Sequence, residues 1–346
     1  MKPTALFVLI TSLAAGTTIT LSSHHWLLAW MGLEINTLAI IPLMTMNHHP
    51  RAIEAATKYF LTQAAASALM LFTALVNAKL FGEWYIPSLS TSMTTPLTLA
   101  ICMKLGLAPL HFWMPEVMQG VPLTTGLIIT TWQKIPPMAL LLQISETTNL
   151  TLISTFGLTS IIVGGWGGLN QTQLRKIMAY SSISHMGWIL LIIKFNPTTA
   201  LLSFILYIVM TTSLFIFLVS LNITKILQIP MAWPLTPLMT IIMLITLLSM
   251  GGLPPLTGFI PKLLIMLDLV QQENPILAGT TLLASMPTLY FYIRLAYILL
   301  LISPPNVTQS KTTWRLPLKT ASIISLIIPL AILLLPITPT MLTLLQ

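Results

Sequence analysis

Long apolar stretches separated by short polar or proline-containing turns recur along the whole chain. Each is close to the roughly 20 residues a helix needs to cross a hydrocarbon core of about 30 Å. This pattern predicts eleven helices, at approximately 3–22, 25–45, 52–79, 96–118, 123–145, 150–169, 174–194, 198–221, 236–268, 275–301 and 320–343. The fourth is interrupted by Gly106-Leu107-Ala108-Pro109 and the ninth by Gly251-Gly252-Leu253-Pro254-Pro255. Glycine loosens the backbone, and proline removes a donor and clashes with the preceding turn, so both helices are expected to be discontinuous.

The placement of the breaks matters more than their existence. Splitting the first ten helices into two sets of five puts one broken helix fourth in each set. Five is odd, so the sets must cross the membrane in opposite directions, and interrupted spans at matching places mark an inverted repeat. Proline and glycine are common in membrane helices generally, but here the breaks match in position and each has a lysine close by. The expected architecture is an all-α polytopic membrane protein with about eleven transmembrane helices. It reads as one domain over residues 1–346, with repeat one at about 3–145, repeat two at about 150–301 and an extra C-terminal helix at about 320–343.

Composition removes other classes. Of the 346 residues, 55% are hydrophobic and only 6% charged, against about a quarter charged in soluble domains. The mean hydropathy is +0.91. A net charge of +8 could point to nucleic acid, but the basic residues are scattered, with no basic tract and no basic face interleaved with aromatics. They sort by side instead. Lys2, Arg51, Arg175, Lys176, Lys225, Lys311, Arg315 and Lys319 fall on one side, and only Lys79 and Lys194 on the other, near Glu83, Glu146 and Glu273. That bias puts the N-terminus on the cytoplasm-equivalent side. Cys102 is the single cysteine, so disulfides within the chain, zinc quartets and iron–sulfur ligation by this chain alone are excluded. Met1-Lys2-Pro3 runs straight into the first span with no cleavage site or Arg-rich arm, so no signal or transit peptide is expected.

Four charges fall at apparent bilayer depth, where the lower estimates put the cost of each at about 2.5–3.5 kcal/mol. Glu34 lies in Trp30-Met31-Gly32-Leu33-Glu34-Ile35-Asn36, near the middle of the second helix. Burial opposes its charge and a neighbouring lysine favours it, which makes it a candidate protonation switch; the alternative is a fixed ion pair. Lys104 is on the last turn before the first break, Lys134 precedes Pro136-Pro137, and Lys262 follows the second break in Phe259-Ile260-Pro261-Lys262. Each could instead snorkel to the interface, a reading that fits Lys262 better than Lys104 or Lys134, which have apolar sequence on both sides. Intramembrane ionisable groups beside broken helices are what an ion path requires.

The remaining polar groups read more simply. Glu54 and Lys58 have the i,i+4 spacing of a local ion pair. His24, His25, His48 and His49 fall in turns and form no metal pair. His111 after the first break and His185 in the seventh helix could pass protons or be structural. Asp268 is placed near a helix end. Gly164-Gly165-Trp166-Gly167-Gly168 follows no strand and fits no phosphate-binding loop, so a close helix-to-helix approach is expected.

Moving one proton against about 150–200 mV costs roughly 3–5 kcal/mol, and no nucleotide loop, cofactor ligand set or soluble module in the sequence supplies it. The chain either exchanges ion gradients as a stand-alone cation/proton antiporter or is driven by partners. Met103 to Val117 (MKLGLAPLHFWMPEV), Gly164 to Trp188 (GGWGGLNQTQLRKIMAYSSISHMGW) and Gly251 to Lys262 (GGLPPLTGFIPK) decide between them. They closely resemble the mitochondrial chain 2 family of NADH–ubiquinone oxidoreductase, antiporter-like membrane subunits of respiratory complex I, and the resemblance extends over essentially the whole chain.

That resemblance implies two inverted five-helix bundles and a polar line at mid-depth. Glu34 would pair with Lys104, Lys134 would connect half-channels, and Lys262 would act in the second bundle, with His111 and His185 as possible relays. It implies a subunit of the H+-translocating NADH:ubiquinone reductase in the mitochondrial inner membrane, N-terminus toward the matrix. This chain would bind no cofactor. FMN, iron–sulfur clusters, NADH and ubiquinone would belong to other subunits, and redox chemistry there would drive the protons. The implied partners are other complex I membrane subunits, including neighbouring antiporter-like chains, and the lipid bilayer, with no nucleic acid. A structural, non-pumping member of the complex is the remaining alternative. Bacterial relatives have three additional N-terminal helices with no counterpart in this sequence.

Overall fold

The computed structural model describes residues 3–46, 48–233, 237–301 and 334–345, and every regular element among them is a helix. The chain forms two compact units, residues 1–160 and 161–346. Unit one holds α1 (Pro3–Ser22), α2 (Trp26–Met44), α3 (Pro50–Phe81), α4 (Thr91–Leu105), α5 (Trp113–Gly120), α6 (Leu123–Thr130) and α7 (Ile135–Gln143). The boundary falls within α8 (Leu150–Leu169). Unit two continues with α9 (Leu174–Ile192), α10 (Pro197–Ser220), α11 (Pro237–Gly251), α12 (Phe259–Gln271), α13 (Pro275–Leu301) and α14 (Thr338–Leu345). The helices α1, α2, α3, α8, α10 and α13 are each long and apolar enough to cross a membrane unaided. Most of the helix expected at 320–343 lies outside the described residues, as do Lys2, Lys311, Arg315 and Lys319.

The many threonines and serines do not need water. Their hydroxyls donate to carbonyls three or four residues back, as in Thr20 to Thr17 O (2.8 Å), Thr73 to Met70 O (2.8 Å), Ser181 to Met178 O (2.8 Å) and Thr246 to Met243 O (2.9 Å). A hydroxyl satisfied within its own helix can face lipid or a packed neighbour without leaving a stranded donor.

Both predicted interruptions are present: α4 ends at Leu105 and α5 starts at Trp113, while α11 ends at Gly251 and α12 starts at Phe259. The two ends close in the same way. Gly106 has φ +74° and Gly252 φ +81°, the left-handed conformation that favours glycine. In the first, Gly106 N–H donates to Met103 O (3.1 Å) and Leu107 N–H to Cys102 O (3.0 Å). In the second, Gly252 N–H donates to Ser249 O (2.9 Å) and Leu253 N–H to Leu248 O (3.4 Å). Each is a Schellman cap that turns the last carbonyls inward.

A third interruption was not expected. The stretch 123–145 reads as one helix in sequence, but a 3-10 turn at Trp132–Lys134 separates α6 from α7. Pro136 has no N–H to offer the Trp132 carbonyl, and that carbonyl instead accepts from the Ile135 N–H, one residue earlier, which tightens the chain.

Each unit also has one short antiparallel clasp. Trp26 N–H donates to Trp84 O and Ile86 N–H to His24 O (both 3.1 Å). Leu174 N–H donates to Thr224 O (3.1 Å) and Ile226 N–H to Thr172 O (3.2 Å). Both clasps join the segment before one helix to the segment after the next, ahead of α2 and after α3 in one unit and ahead of α9 and after α10 in the other.

Glycines set the closest packing. In unit two the run Gly164–Gly168 lets α8 meet two helices, so the close-approach reading of that run holds. A β-carbon on Gly164 would lie 2.8 Å from Ser184 N and 2.9 Å from Tyr180 O, both backbone atoms that cannot swing aside. On the other face, a β-carbon on Gly168 would meet the Phe291 ring at 3.0 Å. Gly164→Ala is therefore expected to destabilise the unit by about 1–3 kcal/mol. A lower thermal midpoint of the purified membrane assembly would register this, whereas Gly82→Ala, with nothing within 4 Å but a left-handed φ of +75°, should cost only backbone strain.

Candidate functional site

In unit one, α3 presents Tyr59 and Gln63 one turn apart on the same face. Opposite stand Lys104, on the last turn of α4, and Lys134, at the 3-10 turn before α7. These side chains, with Leu33, Thr37, Leu105, Trp113, Ile129, Gln133 and Pro137, line a cavity of about 20 Å³. Lys104 is 6% and Lys134 3% exposed, so neither snorkels out of the unit. The break and the turn thus bring two lysines thirty residues apart to one cavity.

Glu34 is half-buried on α2 and makes no hydrogen bond with Lys104. The Lys104 Nζ and the Glu34 Oε2 are both buried without a hydrogen-bond partner. Lys58 forms ion pairs with Glu54 and Glu116 at 2.7 Å each. The local Glu54–Lys58 pair expected from spacing is therefore formed, and Glu116 of α5 extends it. At 40–61% side-chain exposure these three charges are a solvated surface group.

The first break is braced from inside. Trp113 Nε1 donates to Met103 O (3.1 Å), giving that carbonyl a second donor, and the Trp113 ring packs edge-on against Tyr59 at 5.7 Å. Asn36 ties α2 to α1 when its amide is oriented to donate to Leu13 O (2.8 Å), and Trp30 Nε1 ties α2 to α3 through Ser67 O (3.2 Å). His111 sits within the break, its Nδ1 3.3 Å from Pro109 O, and is not among the side chains lining the cavity.

Unit two has its own cavity, of about 10 Å³, lined by Lys262, His185, Trp188, Ile189, Ser203, Tyr207, Met210, Pro261 and Ile265. Lys262 lies in the first turn of α12 and donates to Gly251 O (2.7 Å), so its ammonium group spans the second break. The Tyr292 hydroxyl is 3.5 Å from His185 Nε2, at the outer limit of a hydrogen bond, and the Tyr207 ring lies 5.8 Å from the His185 ring. Asp268 lies in the last turn of α12, as expected, and accepts from Asn196 Nδ2 at 3.4 Å.

The left-handed glycines set a register between the two breaks. Aligned from them, Gly106 to Glu116 (GLAPLHFWMPE) and Gly252 to Lys262 (GLPPLTGFIPK) match without a gap, identical at five of eleven positions. The matched final residues are Glu116 and Lys262, of opposite charge. Lys104 instead corresponds to Met250, so the two lysines occupy opposite sides of their breaks. Sequence reading also passed over Tyr59, Gln63, Gln133, Tyr207 and Tyr292. A lone glutamine within the apolar run of α3 was the one signal available.

Buried lysines beside broken helices, among helices apolar enough to cross a membrane, define the class as a helical membrane protein. A family model described as NADH:quinone oxidoreductase/Mrp antiporter, transmembrane, matches residues 23–288, and one described as NADH dehydrogenase subunit 2 C-terminus matches 289–342. The chain is 59% identical over 344 residues to the NADH-ubiquinone oxidoreductase chain 2 of Aquarana catesbeiana, covering 99% of this chain and 100% of that one. Identity to the same protein of Xenopus laevis is 54% over 345 residues, with 99% and 100% covered. Among solved structures, a chain of respiratory complex I from Thermus thermophilus superposes with a TM-score of 0.82 at 25% identity, covering 96% of this chain and 79% of that one. The chain belongs to the NADH-ubiquinone oxidoreductase chain 2 family.

The geometry predicts what loosens the first break. Gly106→Ala should cost roughly 1–2 kcal/mol, because a side chain disfavours the left-handed conformation. Trp113→Phe should cost about 0.5–1.5 kcal/mol through loss of the bond to Met103 O. Thermal unfolding of the assembled complex, followed by release of this subunit, checks both, and a midpoint unchanged in either variant contradicts the assigned brace.

Proposed function

We propose that this chain, a core membrane subunit of respiratory complex I, moves protons through Glu34, Lys104 and Lys134 in unit one and Lys262 in unit two. The observation that carries the reading is the unit-one cavity, where two buried lysines and a break in the backbone meet. A charge displaced in a neighbouring subunit alters the Glu34–Lys104 interaction, and Lys104 and Lys134 exchange protons as each alternates between charged and neutral. Lys262 serves the second unit, with His185 beside it, and His111 offers a route into the first break. Energy comes from redox chemistry in other subunits of the NADH:ubiquinone reductase, where FMN, iron–sulfur clusters, NADH and ubiquinone reside.

The wider architecture belongs to the same proposal. Eleven spans, ten of them in two inverted sets of five, are supported by the matching Schellman caps, the matching clasps and the eleven-residue match across the breaks. The sidedness of Arg51, Arg175, Lys176 and Lys225 against Lys79 and Lys194 supports a matrix-facing N-terminus in the mitochondrial inner membrane. Neighbouring antiporter-like chains and other membrane subunits are the partners.

Lys104→Met and Glu34→Gln are each expected to cut NADH-driven proton pumping in reconstituted complex by a factor on the order of 10², with assembly preserved. Normal proton-to-electron stoichiometry in assembled variants overturns the path. Loss of assembly alone, with normal pumping by what remains, favours a structural subunit. Cation/proton exchange by the isolated chain in vesicles favours a stand-alone antiporter.

A further inference from the structure

Gln63 is 4% exposed near the start of the largely apolar stretch Leu61 to Met70, and its Nε2 has no hydrogen-bond partner. A buried amide left this way is costly unless something meets it. The side chain lines the unit-one cavity together with Lys104, Lys134, Tyr59 and Gln133, and the Lys104 Nζ there is also unpartnered. The cavity, at about 20 Å³, exceeds the roughly 10–15 Å³ that one water molecule needs. Two orphaned donors, a polar lining and room for one molecule are the conditions under which buried water is held.

We propose that Gln63 is a positioning residue of the proton path, its amide orienting a water molecule between Lys104 and Lys134. The inference rests on the function proposed above. Water has two lone pairs and two protons. If Gln63 Nε2 donates to one lone pair and Lys104 Nζ to the other, both water protons point away from Lys104. One of them then faces a neutral Lys134, which can accept it. In the transfer, an N–H bond of the Lys104 ammonium breaks as an O–H bond forms on the water. An O–H bond on the far side of the water breaks as an N–H bond forms on Lys134. One proton moves, no electron moves, and the water is regenerated. Without the amide the same water could turn its protons elsewhere, and the transfer would wait for it to reorient.

The test uses the intact complex. A map that resolves internal waters is expected to place one within hydrogen-bond distance of Gln63 Nε2 and Lys104 Nζ. A dry cavity there overturns the inference without any variant having to fold. Gln63→Met keeps the volume and removes the amide. It should lower the pumping rate about tenfold, the size expected for loss of one hydrogen bond in a charged network. Gln63→Asn, which keeps the amide, should recover most of that rate, a rescue that a purely packing role would not produce. Normal pumping in Gln63→Met while Lys104→Met is impaired sinks the positioning role alone. Normal pumping in both sinks the path itself.

Discussion

A backbone that leaves the helix inside an apolar environment must still satisfy its N–H and C=O groups, and this constraint organises the molecule. Water is not there to help, and each stranded group costs several kcal/mol. The chain meets the demand at both main breaks with one device: a left-handed glycine that folds the last carbonyls back onto the following N–H groups. Side chains add to the device. Trp113 gives the Met103 carbonyl a second donor in unit one, and Lys262 donates to the Gly251 carbonyl in unit two.

Seen this way, the ionisable residues and the breaks are one feature. A break frees carbonyls and opens space between packed helices, and an ammonium group is a donor that can use both. Lys262 uses its carbonyl directly. Lys104 does not: its Nζ projects toward a cavity shared with Lys134 and has no hydrogen-bond partner. The difference follows from position, since Lys104 precedes its break and Lys262 follows its own. Lys262 keeps two further N–H donors beyond its bond to Gly251 O, so the two units share a backbone plan while anchoring their lysines differently.

The abundance of hydroxyl side chains follows from the same constraint. Threonine and serine bond back to their own helices almost everywhere they occur among the described residues, which lets a chain with few charges remain polar enough to hold breaks and cavities. Of the charges at the surface, Glu54, Lys58 and Glu116 meet and neutralise one another in part.

The sequence by itself determined the helical class, the places of the two main breaks and that Lys104 and Lys134 are withdrawn from solvent. Those properties are written in runs of local sequence: apolar length, the Gly-Leu-x-Pro punctuation, and a charge where none is affordable. The third break escaped notice because Pro136-Pro137 reads equally well as the tolerated start of a helix and as its interruption. Only the carbonyl of Trp132, deprived of one donor and taking another, decides which. The Glu54–Lys58 pair was legible from i,i+4 spacing, but its extension to Glu116 needed α3 and α5 side by side. Gln63 and Tyr59 were invisible as site residues, since nothing in the α3 sequence says that its face looks onto Lys104 and Lys134. The tertiary structure decided that, because a cavity is made by what separate helices leave unfilled between them, and local sequence carries no record of the gap.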